Sequence, residues 1–248
     1  MRSLIIVFVV FMLPQVASSM GLEAAFGIWK QDPSGDIAYK GISLDVKNDL
    51  NLGNNTEVFG RLKVETPLYF PNIYFMATPM SFDGTGNKSS NFVFGKQTFI
   101  AAAPYTSHLK VDHYDFALYY GLPFVKTATL DLLNIDAGID FRLVDFNASI
   151  NQAATGLSES KRLTLPVPMG YLGVQVTPLK RISLEGEVRG VVFGRDQYID
   201  LIGRVKFKIL GPAFVGAGYR YEYIKVDESS VNSGLRFGGP FAEIGIEL

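Results

Sequence analysis

Along most of its length the chain alternates apolar and polar positions with a period of two, the spacing that sends side chains to opposite faces of a β-strand. In residues 58–68, Val58, Leu62, Val64 and Leu68 share one parity, while Arg61, Lys63 and Glu65 share the other. Residues 133–143 set Leu133, Ile135, Ala137, Ile139, Phe141 and Leu143 against Asn134, Asp136, Asp140 and Arg142. The same split recurs at 182–192, with Ile182, Leu184, Val188 and Val192 against Glu185, Glu187 and Arg189. It returns at 199–209, with Ile199, Leu201, Val205, Phe207 and Ile209 against Arg204, Lys206 and Lys208. A soluble sandwich with one wet face would share this patterning. Two features argue against it: the charged face is continuous over several strands, and Tyr219, Tyr221 and Tyr223 take the apolar parity of the ninth. The pattern predicts an all-β fold, a transmembrane antiparallel up-and-down β-barrel with lipid on the apolar side.

Punctuation sets the strand number. Prolines mark tight turns at Phe70-Pro71-Asn72, Pro123, Pro178-Leu179-Lys180 and Gly211-Pro212. Polar stretches at 31–57, 83–108, 151–163, 194–198 and 225–233 predict loops. Four turns and five loops make ten strands, with eight as the alternative, and an even number leaves both termini on one side. Pro79, Pro166, Pro168 and Pro240 fall inside predicted strands, although a closed barrel has no free edge for a missing donor. Bulges or positions on the outer rim are expected there. A phase change between Tyr171 and Val174 also reads as a bulge.

The chain opens with Met1 and Arg2, ten apolar residues from Leu4 to Leu13, and Ala17-Ser18-Ser19. That is the layout of a secretory signal peptide at 1–19, and its core is too short to span a bilayer as a helix. Residues 20–248 then form one exported domain, and export of a strand-rich chain points to the outer membrane of a double-membraned, Gram-negative bacterium. With 19 Phe and 12 Tyr the chain can supply aromatic girdles at both interfaces. A net charge of −1 argues against nucleic acid as a partner, and the absence of cysteine excludes disulfides and thiolate metal sites.

The polar parity predicts a charged lumen network: Arg61, Lys63, Arg142, Arg189, Arg204, Lys206, Lys208 and Arg220 with Glu65, Asp136, Asp140, Glu185, Glu187 and Glu222. Eight cations meet six anions in that set. Folding a hairpin about residues 196 and 197 sets Glu187 opposite Lys206, Glu185 opposite Lys208 and Arg189 opposite Arg204. The next turn brings Arg220 to Arg204, so three arginines share a level and require anions beside them. An internal salt-bridge plug answers that requirement, and so would a bound anion. Residues 41–52 differ in texture, because Ile42, Leu44, Val46, Leu50 and Leu52 are apolar in a predicted loop. They read either as an extension of the first two strands above the membrane or as a gating loop over the mouth for a small hydrophobic solute.

Catalytic signals are weak. His108 and His113 lie at odd spacing, on opposite faces of a regular strand. Asp112, His113 and Asp115 invite comparison with ten-stranded proteases of the omptin type, but their spacing does not match. Ser107 and His108 are neighbours and so point apart, which spoils a lipase-like pair. Gly84-Thr85-Gly86-Asn87-Lys88-Ser89 lacks the glycine before lysine that a phosphate loop needs. Acidic pairs such as Asp32 with Asp36, and Asp227 with Glu228, have the character of solvated turns. No cofactor and no metal are expected.

The last strand, Phe241-Ala242-Glu243-Ile244-Gly245-Ile246-Glu247-Leu248, places Ala242, Ile244, Ile246 and Leu248 on one side. It resembles the C-terminal signal read by the barrel-insertion machinery, with Leu where many members carry Phe. Over nearly its full length the mature chain resembles a family of bacterial outer-membrane proteins marked by a Gly-Gly pair, here Gly238-Gly239, in the size class of OmpW and OmpA. That resemblance implies location and fold and is silent on chemistry. Basic residues in or near the loops, among them Lys88, Lys96, Lys110, Lys161, Arg162, Arg195 and Lys225, would meet lipopolysaccharide phosphates. The functional expectation is a non-enzymatic barrel, structural or a narrow porin-like conduit. The alternatives are a binding or transport barrel for a small hydrophobic or anionic solute, and an outer-membrane lipid-modifying enzyme or protease.

Overall fold

Strand runs almost without break from Gly21 to Glu247. The computed structural model describes residues 20–67, 70–228 and 231–248; the proposed export segment 1–19 and Leu68 lie outside them. In order the elements are β1 (Gly21–Tyr39), β2 (Leu44–Asp45), β3 (Asn55–Glu65), β4 (Asn72–Thr78), β5 (Ser81–Gly86), β6 (Phe92–Phe94) and β7 (Gln97–Phe99). Then come β8 (Tyr105–Gly121), α1 (Pro123–Ala128), β9 (Leu133–Gln152), β10 (Leu157–Leu179), β11 (Ile182–Phe193), β12 (Asp196–Leu210), β13 (Ala213–Glu228) and β14 (Val231–Glu247). Neighbours in sequence pair antiparallel around the sheet, and β14 closes on β1 with Glu23 opposite Glu247 and Tyr39 opposite Val231. Counting β4 with β5 as one strand gives a closed ten-stranded barrel, to which β2 and the separate β6–β7 hairpin are additions. Both described ends of the chain lie at one rim, called the near rim below. The far rim carries the longer connections.

β4 and β5 share one register on β8, Thr78 facing His113 and Ser81 facing Lys110, so the third strand is interrupted rather than shifted at Pro79-Met80. Asp112 Oδ1 accepts the Met80 N–H at 2.9 Å, and Gln31 Nε2 donates to the Pro79 carbonyl at 2.8 Å. Pro240 lies where the β1–β14 ladder skips from Trp29–Phe241 to Asp32–Gly238. The expected bulge between Tyr171 and Val174 is absent: β9 pairs without a slip from Leu157 to Val176, and Tyr171 points inward. Its ring lies 5.3 Å from the Arg189 guanidinium inside the lumen, so the phase change reflects an inward aromatic rather than an extra residue. Pro123 does not make a tight turn. It starts α1, where its missing N–H costs nothing, and the connection runs on to Leu132.

The predicted loops are shorter than their polarity suggests. β9 and β10 leave only Ala153 to Gly156 between them, because water-exposed hairpins climb past the apolar band. That band covers the outer surface: Phe26, Val58, Phe75, Phe116, Phe141, Leu172, Leu184, Val205, Phe207 and Ile244 are all exposed. A girdle this continuous is stable against acyl chains and not against water. Gly239 makes room at the β1–β14 seam, where an added Cβ would lie 1.7 Å from the Lys30 carbonyl oxygen. Gly239→Ala is therefore expected to force the backbone apart and destabilise the barrel by about 1–3 kcal/mol or more, read as a lowered unfolding midpoint in detergent micelles.

Candidate functional site

Two layers fill the lumen. The layer toward the near rim and middle is ionic, and it is built by inward-facing positions of nearly every strand. Arg61 from β3 donates to Glu243 of β14 at 2.8 and 3.0 Å and pairs with Glu23 of β1. Arg204 reaches Glu185 at 2.8 Å, Glu187 at 2.9 Å and Glu243 at 3.0 Å. Lys206 gathers Glu23, Glu185 and Glu247 at 2.8–2.9 Å, and Lys63 lies 3.2 Å from Glu187. Higher up, Arg142 bonds Asp115 and Asp200 at 2.5 Å each and Glu222 at 3.2 Å. Arg220 bonds Asp200 at 2.7 and 3.0 Å, Glu222 at 2.6 Å and the Thr78 hydroxyl at 2.9 Å. Arg189 bridges the groups through Glu187 at 3.0 Å, with Asp140 and Asp200 farther off at 3.8 Å.

Aromatic faces complete the layer. Arg220 lies 4.8 Å from the Trp29 ring, Arg142 4.7 Å from Tyr198 and Arg189 4.8 Å from Tyr74. Guanidinium groups tolerate this setting because they stack on rings and fork onto carboxylates at once. Of the predicted lumen set, Glu65 is exposed, Asp136 is half-buried with an Asn134 hydrogen bond at 3.0 Å, and Lys208 pairs with Glu247 at 2.9 Å. The other eleven residues are in the layer.

The three-arginine level does not form. β11 and β12 fold about Gly194-Arg195, so Glu187 faces Ile202, Glu185 faces Arg204 and Arg189 faces Asp200. Arg204 in turn faces Gly218, and Arg220 faces Ile202. Gly194 takes φ +61°, which suits a two-residue hairpin turn and moves its centre two positions toward the N-terminus of the one expected. The apparent excess of cations disappears as well, because Glu23, Asp115, Asp200 and Glu243 join the layer. Asp200 shares the parity of Arg204 on its strand, and Glu243 opposes the apolar Ala242, Ile244 and Ile246 of its own, a signal already in the sequence. Asp115 and His113 lie on β8, whose faces the alternation leaves less clear.

The second layer is apolar and caps the first. Leu44, Val46, Leu50 and Leu52 are buried in it, while Ile42 is exposed. They pack into one core with Ile37, Phe82, Leu109, Val111 and Leu235 from the barrel wall, and with Phe92, Phe94 and Phe99 of the β6–β7 hairpin. The segment is pinned at several points. Lys88 pairs with Asp49, the Tyr105 hydroxyl donates to the Asp49 carbonyl at 2.6 Å, and Asn51 Nδ2 donates to the Thr85 carbonyl at 2.8 Å. Between the layers, Trp29, Phe59, Met76, Ile202, Arg204, Arg220 and Phe241 enclose a cavity of about 10 Å³, room for one water at most.

One constellation offers metal-binding atoms. His113, Asp200 and Glu222 bring one each within 4.8 Å of one another. The Arg220 guanidinium nitrogen is 3.0 Å from His113 Nε2, 2.7 Å from Asp200 and 2.6 Å from Glu222, so it occupies the place a cation would take. The residues do not fit a metal. His108 points outward and pairs with Asp83 at 2.8 Å, away from His113.

The outer membrane protease OmpT of Escherichia coli matches the fold with a TM-score of 0.54 at 9% identity, over 94% of this chain and 98% of that one. The fold is that of the bacterial outer-membrane barrels. Weaker likenesses include neisserial surface protein A, with a TM-score of 0.33, 14% identity and 92% and 97% coverage. The Yersinia pestis attachment invasion locus protein Ail gives 0.28, 10% identity and 91% and 99% coverage. No protein-family model matches the chain and no curated protein matches it, so the Gly238-Gly239 family remains a resemblance.

Proposed function

We propose that the chain is an integral protein of a bacterial outer membrane whose barrel is sealed, and that it acts as a structural wall element presenting its far rim outside the cell. The near rim then faces the periplasm, the last strand serves recognition by the barrel-insertion machinery, and lipopolysaccharide surrounds the far rim. The observation that carries the reading is the double filling of the lumen: an ionic layer in which Arg61, Arg142, Arg189, Arg204 and Arg220 each pair with at least one carboxylate, under a cap of Leu44, Val46, Met80, Phe82 and Phe99. Small barrels are packed with side chains in this way. A non-enzymatic role is favoured because His113 is buried and held by Arg220 and Glu222, which leaves it no exposed partner for substrate.

A second reading rests on the apolar cap itself, as a gate for a small hydrophobic solute. Planar-bilayer recording separates the two. The sealed barrel is expected to pass no steady current in concentrated potassium chloride. Stepwise conductance that a small apolar solute blocks would overturn the seal and favour the gate.

A further inference from the structure

We propose that the far-rim stretch of β10 from Leu157 to Leu165 is a docking edge for an extended polypeptide segment of another protein, taken up by β-strand addition. β9 pairs with β10 from Leu157 onward, whereas β11 pairs with it only from Gly170 to Leu179 and ends at Phe193. Among the described residues, about ten residues of β10, roughly 33 Å at strand spacing, thus have a paired strand on one side only, and the β6–β7 hairpin that reaches Glu159 stays outside their sheet. The barrel is closed below and notched above.

The prolines say which way the free groups point. The β9 ladder runs without a break past Pro166 opposite Leu143 and Pro168 opposite Phe141. That continuity is allowed when the missing donor would have pointed away from β9. By the period of two, the main-chain N–H and C=O of Ser158, Ser160, Arg162 and Thr164 point the same way, into the notch. Pro166 and Pro168 stop β11 from pairing and fence the open stretch from the apolar band. The short β11–β12 hairpin does not lean over to cover it. Its tip is tied to β13, with Arg195 pairing to Asp227 at 3.2 Å and the Asp227 N–H donating to Asp196 at 2.8 Å.

A row of alternating donors and acceptors at strand spacing is complemented by another backbone, and this decides for a polypeptide over lipid or sugar. Apolar side chains stand beside the edge: Leu165 is 44% exposed and Phe193 81%. The local charge is positive, because the stretch carries Lys161 and Arg162 against Glu159 alone. The occupant is an extended segment with apolar residues at alternate positions and at least one acid.

The inference concerns the rim alone, so its failure is distinct from failure of the sealed-barrel reading. The test uses the full barrel in detergent micelles and a fluorescent ten-residue peptide of alternating valine and threonine with a central aspartate. Saturable binding is expected, with amide exchange at Ser158, Ser160, Arg162 and Thr164 slowed by about tenfold or more. Binding should weaken at least about tenfold when the peptide is N-methylated at every second residue, a control that leaves the barrel untouched. The same loss is expected for the Ser160→Pro, Arg162→Pro barrel, which keeps its β9 ladder. Absence of saturable binding, equal binding of the methylated peptide, or amides as protected in the free barrel as those of β9 would overturn the proposal. Protection that rises with barrel concentration in the absence of peptide would assign the edge to a second copy instead and overturn it equally.

Discussion

Replacing Arg142 with alanine is expected to destabilise the folded barrel by about 3–5 kcal/mol, the largest effect of any single truncation in the lumen. Arg142 is fully buried and holds Asp115, Asp200 and Glu222 at once. Its removal leaves Asp115 with no hydrogen-bonded cation, and Asp200 and Glu222 share what remains in Arg220. Desolvated carboxylates without a counter-charge cost far more than the net worth of the pairs that held them. Lysine at the same position keeps the charge but not the fork, so it should recover only part of the loss. A control on the outer face, Lys110→Ala, removes contacts of 2.8 and 3.0 Å to Asp145 and Asp112 that are half in water, and is expected to cost less than about 1 kcal/mol. Urea unfolding of the lipid-inserted barrel reads all three variants. A loss below about 1 kcal/mol for Arg142→Ala would mean that bulk water reaches the layer, and the sealed-lumen reading would go with it.

Val46→Asp should unseat the far-rim segment while leaving the barrel folded. Val46 is wholly buried in a core of leucines and phenylalanines, and a carboxylate there would be desolvated among apolar side chains. Burial of an unpaired charge costs several kcal/mol, comparable with what the Lys88–Asp49 pair and the Asn51 and Tyr105 hydrogen bonds supply together. The segment then has more to gain from water than from the mouth. Trypsin cleavage after Lys47, slow in the parent barrel, is expected to accelerate by an order of magnitude or more, because cleavage follows the population of the open form. Bilayer current should still be absent, since the ionic layer lies beneath and does not depend on the cap. Current in this variant would show that the cap alone closes the barrel.

Fold was legible because alternation reports one thing well. Where a strand separates lipid from charge, as at Ile139 to Leu143 or Val205 to Ile209, parity alone gives the face and the chain direction gives the sheet. Register was not legible to the same degree. Moving one hairpin centre from 196–197 to Gly194-Arg195 shifts the partner of Glu187 from Lys206 to Ile202, and the charge map changes although no side chain changes face. Pairings across the lumen were beyond reach, since Arg61 and Glu243 are 182 residues apart. The phase change at Tyr171 misled for a chemical reason: a ring beside a guanidinium is at home inside, whereas periodicity counts it only as apolar. Residues 41–52 were ambiguous because a capped mouth and a taller wall bury the same aliphatics.

The ion pairs that span the lumen bear on how the molecule is assembled. Arg61 of β3 meets Glu243 of β14, and Lys206 of β12 meets Glu23 of β1, so these charges reach their full set of partners only when first and last strands join. Hairpins entering hydrocarbon singly would carry naked ions into oil. Insertion must therefore proceed as a curled sheet around a watery hollow, and the final zipping of the seam expels that water in the same event that neutralises the charges.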